Sequence, residues 1–191
     1  MNGKLSRRTE TLLSAFQARN LHDLKRLAND SIQEAVTENN KNLAEIAVIS
    51  YALYKIISKD HFTKNSKWQK VANIITSGIL KANKAIEKNE PKAFQKNLNN
   101  VILEIELIDE KLSNFAKSIF YRAKVKQAST AYALGISFNH AAELTGANLK
   151  TLQNYIGTTR IHDEQPIYAG ISKRLTTLKR FLNDSNRSWF K

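Results

Sequence analysis

Residues 137 to 157 read Ser-Phe-Asn-His-Ala-Ala-Glu-Leu-Thr-Gly-Ala-Asn-Leu-Lys-Thr-Leu-Gln-Asn-Tyr-Ile-Gly. The spacing predicts a helix, a tight turn and a second helix. Ser137 is a good N-cap, because its hydroxyl can accept a bond from a first-turn backbone N–H. Ala141 and Ala142 are small where two crossing helices need close approach. Leu144 and Thr145 close the first helix. Gly146 follows at once and can take the left-handed conformation that ends a helix without a Cβ penalty. Asn148 then caps a new helix, whose apolar positions Leu152, Tyr155 and Ile156 can fold back on the first. Lys150, Thr151, Gln153 and Asn154 are left for the outer face. A positive charge and two amides suit phosphates and the edges of guanine and adenine.

This stretch resembles the DNA-binding helix-turn-helix, through its Ala-Ala-Glu-Leu-x-Gly core, its three-residue turn and its second helix. Two positions depart from the pattern: Ala147 stands where a larger apolar residue is usual, and Asn148 where Ser or Thr is commoner. Along the whole chain, a helical region, a basic helix, the helix-turn-helix and a short C-terminal helix follow in order. That order is similar to archaeal proteins predicted to be helix-turn-helix transcriptional regulators. The resemblance implies a regulator that binds double-stranded DNA, with Leu149 to Ile156 as the recognition helix. Lys150, Gln153 and Asn154 would meet base edges or the groove, beside Asn148 and Thr151. Arg122, Lys124, Lys126, Thr158 and Arg160 would position the helix through phosphates. The residues by themselves also allow an ordinary helical hairpin with a glycine cap, or contact with RNA.

Composition favours a helical protein. The chain has 191 residues, 42% of them hydrophobic, enough for a buried core. Only two prolines and six glycines interrupt it. The rest is rich in Leu, Ile, Ala, Lys, Glu and Gln, which predicts an all-α fold. The net charge is +13, unevenly spread. Residues 1–115 carry 18 basic and 13 acidic residues, and residues 116–191 carry 12 and 4. A basic excess around the motif is the footprint expected for a polyanion partner. Cysteine is absent, which excludes disulfides and thiolate metal sites. The first 20 residues lack an apolar signal region, and the longest apolar run, Ile46 to Ile57, is too short to span a bilayer. A soluble, cytoplasmic protein without membrane contact is expected.

Helical stripes run along most of the chain. Leu12, Leu13 and Phe16 mark a first short helix after Ser6. Leu21 to Val36 marks a second, ended by Asn39 and Asn40. Leu43 to Ile57 is apolar nearly all round, as for the central helix of a bundle. Asp60 to Ser66 reads as a polar loop, and Trp68 to Ile86 as another helix. Phe94, Leu98, Val101, Ile105, Ile108, Leu112, Phe115 and Ile119 are then spaced alternately by four and three. This heptad seam predicts one long helix from about residue 91 past 120. Ile102, Leu107 and Ala116 widen its apolar face, which suits packing inside a bundle, although a homodimeric seam stays open. From Lys117 to Lys126 the helix turns basic, either as a solvated face or as the entry to a DNA-binding unit. Thr158, Thr159 and Arg160 read as a loop after Gly157, and residues 171–182 as a last amphipathic helix.

Catalytic signatures are not visible. The four histidines show no metal spacing, with His140 read as a surface or phosphate contact, and the acidic residues at 104–110 read as a solvated face. No Gly-rich phosphate loop, nucleophile elbow or acid–base pair appears, so neither catalysis, a cofactor nor a metal is expected. The organisation expected is a helical bundle over residues 1–115, for oligomerisation or sensing, and a helix-turn-helix unit over 116–191. A homodimer on double-stranded DNA is the expected assembly. A helical protein-interaction module and a structured-RNA binder are the alternatives.

Overall fold

Asparagine, more than glycine, turns the chain at the corners of the bundle. Short polar side chains tolerate the left-handed region that ends a helix. The computed structural model describes residues 2–112 and 119–162. These residues form an all-α fold, with nine helices and no strand among them. Helices α1 (Asn2–Gln17), α2 (Leu21–Glu38) and α3 (Lys41–Ile57) come first. Asn39, at φ 49°, closes α2, and Asn40 opens α3 by accepting from the amides of Asn42 and Leu43. The pair makes a tight corner, and α2 and α3 pack extensively against each other.

The interior is built around α3. Leu43, Ile46, Ile49, Leu53 and Ile56 are fully buried or nearly so, each stabilising the fold by roughly 1.5–3 kcal/mol relative to exposure. Helices α1, α2, α6 (Pro91–Leu112), α7 (Ile119–Ala133) and α8 (Phe138–Thr145) all touch α3, which explains why its sequence is apolar on nearly every side. Arg8 fastens α1 to α2: its Nε and Nη2 donate to the two carboxylate oxygens of Glu34 at 2.9 and 2.7 Å. That fork holds the Glu34 carboxyl below its ordinary pKa.

Residues 60–66, expected to be loop throughout, contain a one-turn helix α4 (Asp60–Thr63). The cause is Phe62, whose ring is wholly buried and anchors the turn. Helix α5 (Trp68–Glu87) and helix α6 (Pro91–Leu112) form a second hairpin around Asn89, at φ 56°. Where they cross, Gly78 faces Val101, and a Cβ at 78 would lie 2.6 Å from the Val101 Cγ2. Val101 is fully buried and β-branched, so it cannot swing aside. Gly78→Ala should therefore lose stability despite its better helix propensity. Overpacking costs about 2 kcal/mol and propensity returns about 1 kcal/mol. Urea unfolding should show a net loss of about 1 kcal/mol, and a stabilised variant would contradict this crossing.

The heptad seam is consumed within the chain. Phe94, Leu98, Val101, Ile105 and Ile108 are all buried in the core, so they do not offer a zipper to a second copy. Leu103 and Leu107, on the outer side of α6, are exposed. The expectation of one long helix past residue 120 is corrected. A separate helix α7 (Ile119–Ala133) packs against α6. Collinear stretches seven or more residues apart would be separated by about 10 Å along the axis and could not touch this way. Periodicity carried no sign of the change in direction, because Ile119 keeps the seam's spacing while packing as part of α7. Leu112 and Phe115 lie outside the described side chains, and residues 171–182 outside the described chain.

No described helix is long and apolar enough to cross a membrane. A single hydrophobic cluster contains residues from both sides of position 115. Ile119, Phe120, Ala123, Ala131, Ala141 and Leu144 join the core built on α3.

Candidate nucleic-acid interface

The motif folds as a helix, a three-residue turn and a helix. Helix α8 (Phe138–Thr145) starts where the Ser137 hydroxyl accepts from the His140 amide at 3.2 Å. It ends at Gly146, which is left-handed at φ 67° and ψ 26°. The amides of Gly146 and Ala147 both return to the Ala142 carbonyl, closing the helix C-terminus. Helix α9 (Leu149–His162) starts two residues on, with the Asn148 carboxamide oxygen accepting from the Thr151 amide at 3.1 Å.

A second, smaller hydrophobic cluster holds α7, α8 and α9 together. Val125, Ala128, Ala142 and Leu152 form its centre, with Tyr121, Phe138, Ala147, Tyr155 and Ile156 around them. Ala147 takes its place in this cluster despite its small size. On the other side of α8, the His140 Nε2 lies 3.0 Å from the Asn39 carboxamide oxygen. Glu143 accepts from Lys41 at 3.0 Å. Both links tie α8 to the α2–α3 corner, so His140 has a partner within the chain.

The expected contact residues are not all placed alike. Lys150, Gln153 and Asn154 are exposed on α9, away from Leu152, which is fully buried. Asn148 is exposed, but its side-chain oxygen is occupied by the cap. Thr151, expected to face outward, instead turns inward. Its hydroxyl meets the Tyr121 hydroxyl on α7, because one turn of helix brings residue 151 round towards α7. Arg160 belongs to α9, but its side chain lies outside the described ones.

Thr158 corrects another expectation. Residues 158–160 are helical rather than a loop. Gly157 does not take a positive φ, and the Thr158 hydroxyl donates back to the Asn154 and Tyr155 carbonyls. Such back-bonding is how threonine satisfies itself within a helix.

The basic residues of α7 point in two directions. The Lys124 ammonium sits 4.9 Å from the Phe120 ring centroid and beside Gly146. Its charge also acts on Glu45 of α3, against the burial that raises the Glu45 pKa. Lys124 is thus directed at the bundle and the turn. Arg122 and Lys126 instead line a cavity of about 520 Å³ between α3, α7 and α9. Thr151, Asn154, Tyr155 and Thr158 line it from α9. The end of α3 and its following turn contribute Tyr51, Lys55 and Lys59.

These last three residues were missed in the sequence. Their signal was faint but present: they recur every four residues, and Lys55 interrupts the most apolar helix of the chain. Lys55 lies over two rings, 5.4 Å from Tyr51 and 5.1 Å from Tyr54. Burial pushes the Tyr51 hydroxyl above its ordinary pKa.

Comparison with protein-family models, curated proteins and solved structures finds no match. The chemistry of the site therefore stands on its own residues. Among the described residues, no group of three or more His, Asp or Glu side chains is placed to hold a metal ion.

Proposed function

We propose that this chain binds double-stranded DNA through α9 and acts as a transcriptional regulator. One observation carries the reading: α9 buries Leu152 against α7 and α8 while holding Lys150, Gln153 and Asn154 exposed beyond a glycine turn. A helix presented this way fits a major groove, where an amide can pair bidentately with adenine and a lysine can reach guanine or a phosphate. The net excess of eight positive charges over residues 116–191 favours a polyanion. Regulators of this kind commonly pair across successive grooves, roughly 34 Å apart, and a homodimer belongs to the proposal. Its contact must use surface other than the α6 seam.

A salt titration tests the reading. Binding to duplex DNA should weaken with salt, the slope of log affinity on log salt being about −0.9 per phosphate neutralised. Gln153→Ala should leave stability within about 0.5 kcal/mol. It should relax sequence preference by about 1–3 kcal/mol at one base position. Sedimentation in the same buffers reads the dimer. Equal affinity for duplex DNA, RNA and an acidic peptide, unmoved by Gln153→Ala, would end the reading.

A further inference from the structure

We propose that Tyr121 is a positioning residue for α9: through Thr151 and the Asn148 cap its hydroxyl fixes the roll of that helix on α7, and so the sequence preference of the side chains that α9 presents. The consequence for sequence preference rests on the DNA reading, whereas the positioning itself does not.

The cap fixes the direction of each bond. The Asn148 carboxamide oxygen accepts from the Thr151 amide at 3.1 Å, and it has no proton to give. The Thr151 hydroxyl, 3.4 Å from the same oxygen, therefore donates to it. Its lone pairs are left for the Tyr121 hydroxyl, which donates to Thr151. A hydroxyl relay thus runs from α7 to the atom that caps α9. Tyr121 and Thr151 are both half-buried, and hydrogen bonds in a chain strengthen one another away from bulk water.

The apolar part of the seat sets the depth of α9 better than its roll. Leu152 packs with Val125, Ala128 and Ala142. Such contacts are non-directional, and alanines raise no ridge to key into a groove. A hydrogen bond is directional. The relay meets α9 in its first turn, the part of a recognition helix that reaches base edges. Lys150 and Gln153 are exposed close beside Thr151. A side-chain end about 5–6 Å from the helix axis moves about 2 Å when the helix rolls by about 20°. Hydrogen-bond lengths vary by only a few tenths of an ångström. Such a roll breaks a bidentate base contact and leaves the attraction to phosphates in place.

Tyr121→Phe and Thr151→Val each remove one hydroxyl with little change in volume, and Thr151→Ser keeps the relay. Amide hydrogen exchange on the free full chain reads the positioning without DNA. The Thr151 and Leu152 amides bond to the side-chain and backbone oxygens of Asn148. Both should exchange about fivefold faster in Tyr121→Phe and in Thr151→Val, as for loss of one hydrogen bond. The double variant should be no faster than the faster single one, and this cycle isolates the pair from whatever else either residue touches. Thr151→Ser should match the parent. Should Tyr121→Phe fail to fold, Thr151→Val against Thr151→Ser decides. Additive effects in the double variant, or serine behaving like valine, would overturn the relay. Duplex selection reads the consequence separately. Each single variant should discriminate the preferred site from a one-base change about tenfold less well, with the slope on salt unchanged. Unmoved discrimination, or equal losses on both sequences, overturns the link to sequence preference. A chain that shows the exchange pattern but binds no duplex DNA overturns the DNA reading and leaves the positioning standing.

Discussion

Leu152→Ala should release α9 and leave the bundle intact. Leu152 is wholly buried at the centre of the small cluster formed with Val125, Ala128 and Ala142. Truncating a buried leucine costs about 2–5 kcal/mol, and three of these four residues are themselves too small to fill the void. None of the four belongs to the larger core around α3. Amide hydrogen exchange should therefore show protection in α9 falling by about a hundredfold, as a loss of about 3 kcal/mol requires. Protection in α3 should stay put, and DNA binding should disappear with the presented helix. An equal fall in α3 would mean that α9 opens only when the whole chain unfolds, and would contradict the division into two clusters.

Gly146→Val should strain the turn without a steric clash. The nearest atoms to a Cβ at 146 belong to the flexible end of Lys124, 3.9 Å away, so there is room for a side chain. The obstacle is φ, at 67°, which a β-branched residue adopts only at a cost of about 2 kcal/mol. Asparagine provides the control, since Asn39 and Asn89 already hold positive φ in this chain. Thermal unfolding and gel shift should rank Gly146→Asn close to the parent and Gly146→Val well below it in both assays. If valine and asparagine behaved alike, backbone conformation would not be what shapes the turn.

What could be read from the sequence was what local chemistry decides. Ser137, Gly146 and Asn148 specify caps and a turn through their own backbone and side-chain bonds, and the structure places all three in those roles. The all-α class followed from the scarcity of glycine and proline, and the central place of α3 from its lack of a polar side. Periodicity identified the buried residues of α6 but carried no information on what they bury against. It also failed at the α6–α7 change of direction, where the spacing simply continued. Gly157 was misread for a related reason: glycine permits a helix end but does not compel one. The directions of Lys124 and Thr151 depend on neighbours distant in the chain, Glu45 and Tyr121. The cavity, assembled from three separated segments, left only the four-residue spacing of Tyr51, Lys55 and Lys59 as a trace.

The sharing of core residues across position 115 makes the unit of α7, α8 and α9 a poor cassette. Helices α7 and α8 each serve two masters: Phe120, Ala131, Ala141 and Leu144 belong to the bundle's interior, while Val125, Ala128 and Ala142 hold α9. The polar links at His140 and Glu143 lie on the outside, where water screens them, so the apolar side is the real seat. Cut free, the unit would bare that side to water. Grafted onto another bundle, it would meet a socket of the wrong shape. A tilt of α3 within the bundle is therefore passed to α9 through side chains of α7 and α8 that touch both.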